Sequence, residues 1–132
     1  MASPCVAELG GQLSAVRDAV WARCATGTMA RLSISTDSGA SWHDVIVSGG
    51  LPNSAVVGAR TADQAVVADP ERTLTLVAAG GVETAAVVPS HAIVAYVGFT
   101  TSSVGVAVTV NPQQLWRTTD SGRTWTVVHF TQ

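Results

Sequence analysis

Short apolar runs rich in Val, Ile, Ala and Thr alternate with clusters of Gly, Pro, Asn, Asp and Ser along the whole chain. Runs of this kind, spaced roughly eight to twelve residues apart with turn signals between them, predict an all-β protein of many short strands. The pattern divides into three groups of four. Strands are expected over Gln12–Asp18, Ala19–Thr26, Met29–Thr36 and Trp42–Val47, then over Ala55–Arg60, Gln64–Ala68, Thr73–Ala78 and Glu83–Val88. The last group is Ile93–Phe99, Val104–Val110, Leu115–Thr119 and Trp125–Phe130. Ser48–Asn53 and Pro89–His91 are breaker clusters and mark the crossings between groups. Many runs, such as Val104–Val110, are apolar at successive positions, as expected of strands covered on both faces. No 3.6-residue stripe argues for helix. The Ala-rich stretch Val16–Cys24 is the one rival, and its alignment with the third group favours strand.

Two stretches repeat. Leu32–Trp42 and Leu115–Trp125 both read Ser/Thr-x-Asp-x-Gly-x-Ser/Thr-Trp, through Ser35, Asp37, Gly39, Ser41 and Trp42 and through Thr118, Asp120, Gly122, Thr124 and Trp125. The spacing of 83 residues between Trp42 and Trp125 is about twice the roughly 40-residue period of a propeller blade. Asp can accept backbone N–H groups across such a turn, Gly can take positive φ, and Trp can fill an apolar gap. A gapless overlay at this offset sets Leu13 on Tyr96, Val16 on Phe99 and Leu32 on Leu115. In the second group the motif has decayed around Gly80–Gly81, with neither Asp nor Trp in place.

These stretches resemble the Asp-box, or BNR, repeat of sialidases, sortilin-type receptors and photosystem-assembly-factor-like β-propellers. The resemblance implies a single domain over 1–132 built of three four-stranded antiparallel propeller blades at about 12–47, 55–88 and 93–130. It also implies that each box is a structural outer turn between a blade's third and fourth strands, remote from any active site. Closed propellers typically use 4–8 blades. Three would leave apolar faces uncovered, so the chain is expected to be part of a longer propeller or to pair with a second copy into a six-bladed ring.

Composition narrows the function classes. Hydrophobic residues make up 47% and charged ones 12% of the 132, enough apolar content for one domain with a core of its own. A net charge of −2 gives no electrostatic case for nucleic acid or an anionic membrane. No apolar run is long enough to span a bilayer as a helix. The extracellular habit of many Asp-box proteins and the even Cys count favour a Cys5–Cys24 disulfide, with two buried inert thiols as the alternative. The expected location is secreted or in a bacterial cell envelope after removal of a leader, with a cytosolic protein as the other reading.

Candidate chemistry is sparse. Sialidase-type catalysis needs a Tyr nucleophile paired with Glu, an acidic Asp and an Arg cluster. The single Tyr, Tyr96, has no patterned Glu near it, and the family's Arg-Ile-Pro signature is missing. Tyr96 is read as a channel-wall residue, and Glu71 and Glu83 as solvated turn residues rather than a hydrolytic pair. His43, His91 and His129 lack metal-ligand spacing, and Asp37-Ser38-Gly39 lacks the spaced carboxylates of a calcium loop. Trp21 and Trp116 fall outside the repeat and either fill gaps between blades, the preferred reading, or line a ligand surface. No cofactor is expected. The function expected is a non-catalytic binding or assembly module for a protein or glycan partner. The alternative is a fragment or dimer-assembled domain of a sialidase-like glycoside hydrolase.

Overall fold

The computed structural model describes residues 5, 11–25, 29–47, 50–70 and 73–129. All the regular structure among them is strand, arranged as three antiparallel sheets in chain order. Sheet 1 holds β1 (Gly11–Val16), β2 (Ala19–Ala25), β3 (Met29–Ser35) and β4 (His43–Val45), with β5 (Leu51–Pro52) added to β3. Sheet 2 holds β6 (Val56–Ala59), β7 (Gln64–Asp69), β8 (Thr73–Ala78) and β9 (Glu83–Ala85). Sheet 3 holds β10 (Ile93–Phe99), β11 (Gly105–Val110), β12 (Gln114–Thr118) and β13 (Thr126–Val127). Each sheet is built on a four-strand meander in which successive strands pair, with β5 the one strand off that path. The Val16–Cys24 stretch is strand on both sides of a turn. Among the described residues no helix is long and apolar enough to cross a membrane.

The continuous apolar runs are explained by stacking. In β7, Ala65 and Val67 join a core cluster with Trp21, Leu32, Ile34 and Val45 of sheet 1. Their neighbours Val66 and Ala68 point the other way, into a cluster with Val94, Val97, Trp116 and Trp125 of sheet 3. Successive side chains leave opposite faces of a strand, so a sheet covered on both sides needs an apolar residue at every position. Sheet 2 is that covered layer. The first strands of successive sheets also lie side by side. The Gln12 side-chain amide donates to Val57 O and accepts from Val57 N, both at 2.8 Å, and Ser14 Oγ accepts from Ala59 N at 2.8 Å. On the other side of β6, a Cβ at Gly58 would stand 2.7 Å from Val97 O, so only glycine allows this approach of β10.

Four sequence expectations need correction. The Ser48–Asn53 cluster is not wholly a breaker. Leu51 is buried and pairs with Ala30, while Pro52 sits opposite Met29 on the sheet edge, where its missing N–H costs no ladder bond. Glu83–Val88 is not one strand, because Val87 leaves β8 and bridges to sheet 3, donating to Arg123 O at 2.7 Å and accepting from Trp125 N at 2.9 Å. The strand expected over Gln12–Asp18 stops at Val16, and Arg17–Asp18 form a two-residue turn.

The gapless overlay is the fourth. It holds for the boxes, where Ser33↔Asp44 and Trp116↔Val127 are equivalent pairs. It fails upstream. At equivalent stations four residues separate Ala15 from Val20 but five separate Phe99 from Gly105, whereas fourteen separate Val20 from Ser35 and only twelve Gly105 from Thr118. The gain and the loss nearly cancel and so escape notice in the sequence. By register Leu13, partner of Ala22, corresponds to Val97, partner of Ala107, and not to Tyr96. A one-residue slip exchanges the faces of a strand.

Candidate functional site

The two Asp-containing turns have one geometry. Ser35 Oγ donates to Asp37 Oδ1 at 2.7 Å and accepts from Gly39 N at 2.8 Å. Thr118 Oγ1 likewise donates to Asp120 Oδ1 at 2.8 Å and accepts from Gly122 N at 3.0 Å. Each carboxylate then receives the backbone N–H (2.9 Å) and the hydroxyl of Ser41 or Thr124 four residues on. These hydroxyls above all, with the backbone donors, hold both Asp carboxyls down to about 2. Ser38 and Ser121 (φ 60° and 69°) precede Gly39 and Gly122 (φ 90° and 89°), so the chain turns through two left-handed residues. An acid so fully occupied with its own turn is an acceptor, not a proton donor. Trp125 is buried, donates Nε1 to Gly122 O at 2.8 Å and meets Phe99 edge-on. Trp42 is only half-buried.

The turns are tethered to the first hairpin of their own sheet. Ser38 N donates to Asp18 O at 2.9 Å, and Ser121 N to Ser103 O at 3.0 Å. Sheet 2, which has lost the motif, keeps the tether through Ala79 N and Asp63 O at 2.7 Å. The three first hairpins therefore lie together at one end of the stack and enclose an open cleft of about 970 Å³. In sheets 2 and 3 the hairpin is a five-residue loop with shared bonding. Thr61 Oγ1 accepts from Asp63 N and Gln64 N, as Thr101 Oγ1 does from Ser103 N and Val104 N. Sheet 1 has the tight Arg17–Asp18 turn instead, with Arg17 at φ 54°. At equivalent stations the sheet 1 hairpin is one residue shorter than the other two.

The cleft is lined by Arg17, Asp18, Arg60, Asp63 and the hydroxyl residues Thr36, Thr61, Thr100, Thr101 and Ser102, with Phe99 at its apolar side. Arg60 spans two sheets, donating Nε to Gln64 Oε1 at 2.7 Å and Nη1 to Ser102 O at 2.9 Å. Burial pulls its pKa below the ordinary value, and Arg123 nearby adds to this. It remains a cation at any physiological pH. Trp21, fully buried, fixes the sheet 1 side by donating Nε1 to Thr61 O at 3.0 Å. The lining carries two cations, two carboxylates and a band of hydroxyls, suited to hydrogen-bond a polar ligand without strong preference for its charge.

Few of these residues were singled out in the sequence. Arg17 and Asp18 read there as strand, and Thr61 and Thr101 fall between expected strands. The signal was the matched Thr at the end of two first strands and the shorter connection in the other. Tyr96 is exposed on the outer face of β10, packed over Gly98, and no carboxylate hydrogen-bonds to it among the described residues. Glu83 lies in β9, and Glu71 is outside the described residues. Trp116, like Trp21, is fully buried, so neither lines a ligand surface, and it donates Nε1 to Gln114 Oε1 at 3.2 Å. His43 and His129 are exposed, and exposed His91 contacts Pro70 O through Nε2. Among the described residues no three His, Cys, Asp or Glu side chains gather as a metal site. Cys5 and Cys24 form a disulfide. No protein-family model matches the chain, and no curated protein matches it in sequence.

Proposed function

We propose that this chain is a non-catalytic binding module built as three consecutive blades of an Asp-box β-propeller, and that its cleft grips a polar protein or glycan partner. The observation that carries this reading is the cleft itself. It is framed by three hairpins, one of them shorter than the others, each tied down by its blade's outer turn. Arg17, in the two-residue turn of sheet 1, stands at the rim. The Asp-box turns act in this reading as buttresses of the cleft, which explains two such acids without any chemistry. A propeller reading accounts as well for sheets stacked in chain order with adjacent first strands. The disulfide suits an oxidising compartment and so a secreted or envelope setting.

The test is a glycan array and a set of immobilised peptides probed with the disulfide-intact chain, alongside a fluorogenic sialoside assay. Binding without turnover, weakened about tenfold or more by Arg17→Ala or Asp63→Asn, is the expected result. Sialoside turnover would replace the module with the hydrolase.

A further inference from the structure

The register places equivalent residues of the three sheets at the same stations. Leu32, Leu74 and Leu115 share one on the faces that look along the chain direction, and Trp21, Val66 and Val106 share the next. In sheets 1 and 2 these residues are buried by the sheet that follows. In sheet 3 Leu115, Val106 and Val108 are left half-buried beside Tyr96, which is 53% exposed. Gly98 holds the station of Gly58, the glycine that admits the next sheet's first strand. The outer face of sheet 3 thus repeats the build of a face that another sheet covers.

The opposite end of the stack shows the matching deficit. Leu13 holds the station of Val57 and Val97, which are 1% and 2% exposed, yet Leu13 is 54% exposed. Trp42 is half-buried where Trp125 is buried against sheet 2. The polar departures from the pattern also differ between the two outer faces. Arg117 replaces Ile34 and Leu76 on the sheet 3 face, and Asp44, which already pairs with Arg31, stands in sheet 1 where Val127 stands in sheet 3. The Cys5–Cys24 disulfide occupies the end of that face away from Trp42.

We propose that the outer face of sheet 3 docks on the outer face of sheet 1 of a second copy of this chain, setting Leu13 against Gly98 and burying Trp42, and that two such contacts about a two-fold axis close a ring of six sheets. The occupant is a second copy because the interface between sheets 2 and 3 already supplies the geometry, station by station. Six lies within the blade numbers that close, and a heterologous contact repeated about a two-fold gives a closed dimer rather than a filament. This rests on the propeller reading above, and gives the cleft a second, symmetry-related copy on the same ring.

The test is sedimentation of the disulfide-intact chain at micromolar concentration, for the wild type and for Leu13→Arg and Val108→Arg, both at incompletely buried positions. The wild type should sediment at twice the 13.5 kDa chain mass. Each variant should be a monomer with an unchanged far-ultraviolet spectrum, and an equimolar mixture of the two should regain dimer through its one undamaged interface. A monomeric wild type would overturn the proposal, and so would a dimer sensitive to Val108→Arg but not to Leu13→Arg, which would mean sheet 3 pairing with itself. A monomer that still binds the array would sink the ring and leave the binding module standing. A dimer that binds nothing would do the reverse.

Discussion

At the scale of single residues, each Asp-containing turn gathers several hydrogen bonds on one carboxylate and one hydroxyl. With both carboxyls near 2 in the fold and about 3.9 in the unfolded chain, the native state binds fewer protons. The stabilisation is fully present above about pH 4 and is lost as pH falls towards about 2. Melting temperature should therefore drop over that window, and the Asp37→Asn, Asp120→Asn double variant should show a shallower drop there. The Thr118 hydroxyl is buried and serves the Gly122 and Asp120 N–H groups together. Thr118→Val should cost about 1–3 kcal/mol in urea unfolding by leaving the Gly122 N–H unpaired. Trp125→Ala should cost about 3–5 kcal/mol, and Trp42→Ala clearly less, because Trp42 is only half-buried where Trp125 is buried.

At the scale of elements, the close approach of β6 and β10 leaves no room for a side chain at Gly58. Gly58→Ala would drive a methyl into Val97 O, and backbone cannot move aside as a side chain can. A loss of about 1–3 kcal/mol is expected by chemical denaturation. The strands were legible in the sequence because sheet 2 is covered on both faces and turns at Gly, Pro and Asp punctuate each run. Register was not. It depends on turn lengths, and a longer first turn set against a shorter second one in sheet 3 leaves the sequence looking gapless. Leu51–Pro52 and Val87 were misread for a related reason. Their partners, Ala30 and Met29 for one and Arg123 and Trp125 for the other, are set by tertiary contacts that no local pattern encodes. The cleft was barely legible, since its residues are ordinary turn formers until three hairpins are brought to one end.

For the whole molecule, the covalent tie and the stacking order matter most. The Cys5–Cys24 disulfide closes a loop with a sequence separation of 19. In the chain-entropy model its reduction should lower stability by about 3 kcal/mol, read as a shift of the urea midpoint with and without reductant. Stacking explains why so apolar a chain has so few charges: one sheet is covered twice, and two sheets each keep a face built on the same stations. The central claim is that the three sheets are consecutive wedges whose first strands neighbour one another. Nuclear Overhauser contacts in the labelled protein test it most directly. Cross-peaks from the Gln12 side-chain amide to the Val57 amide and from Gly58 Hα to the Val97 methyls are expected. Their absence, with contacts joining β3 to β12 in a single sheet, would contradict it.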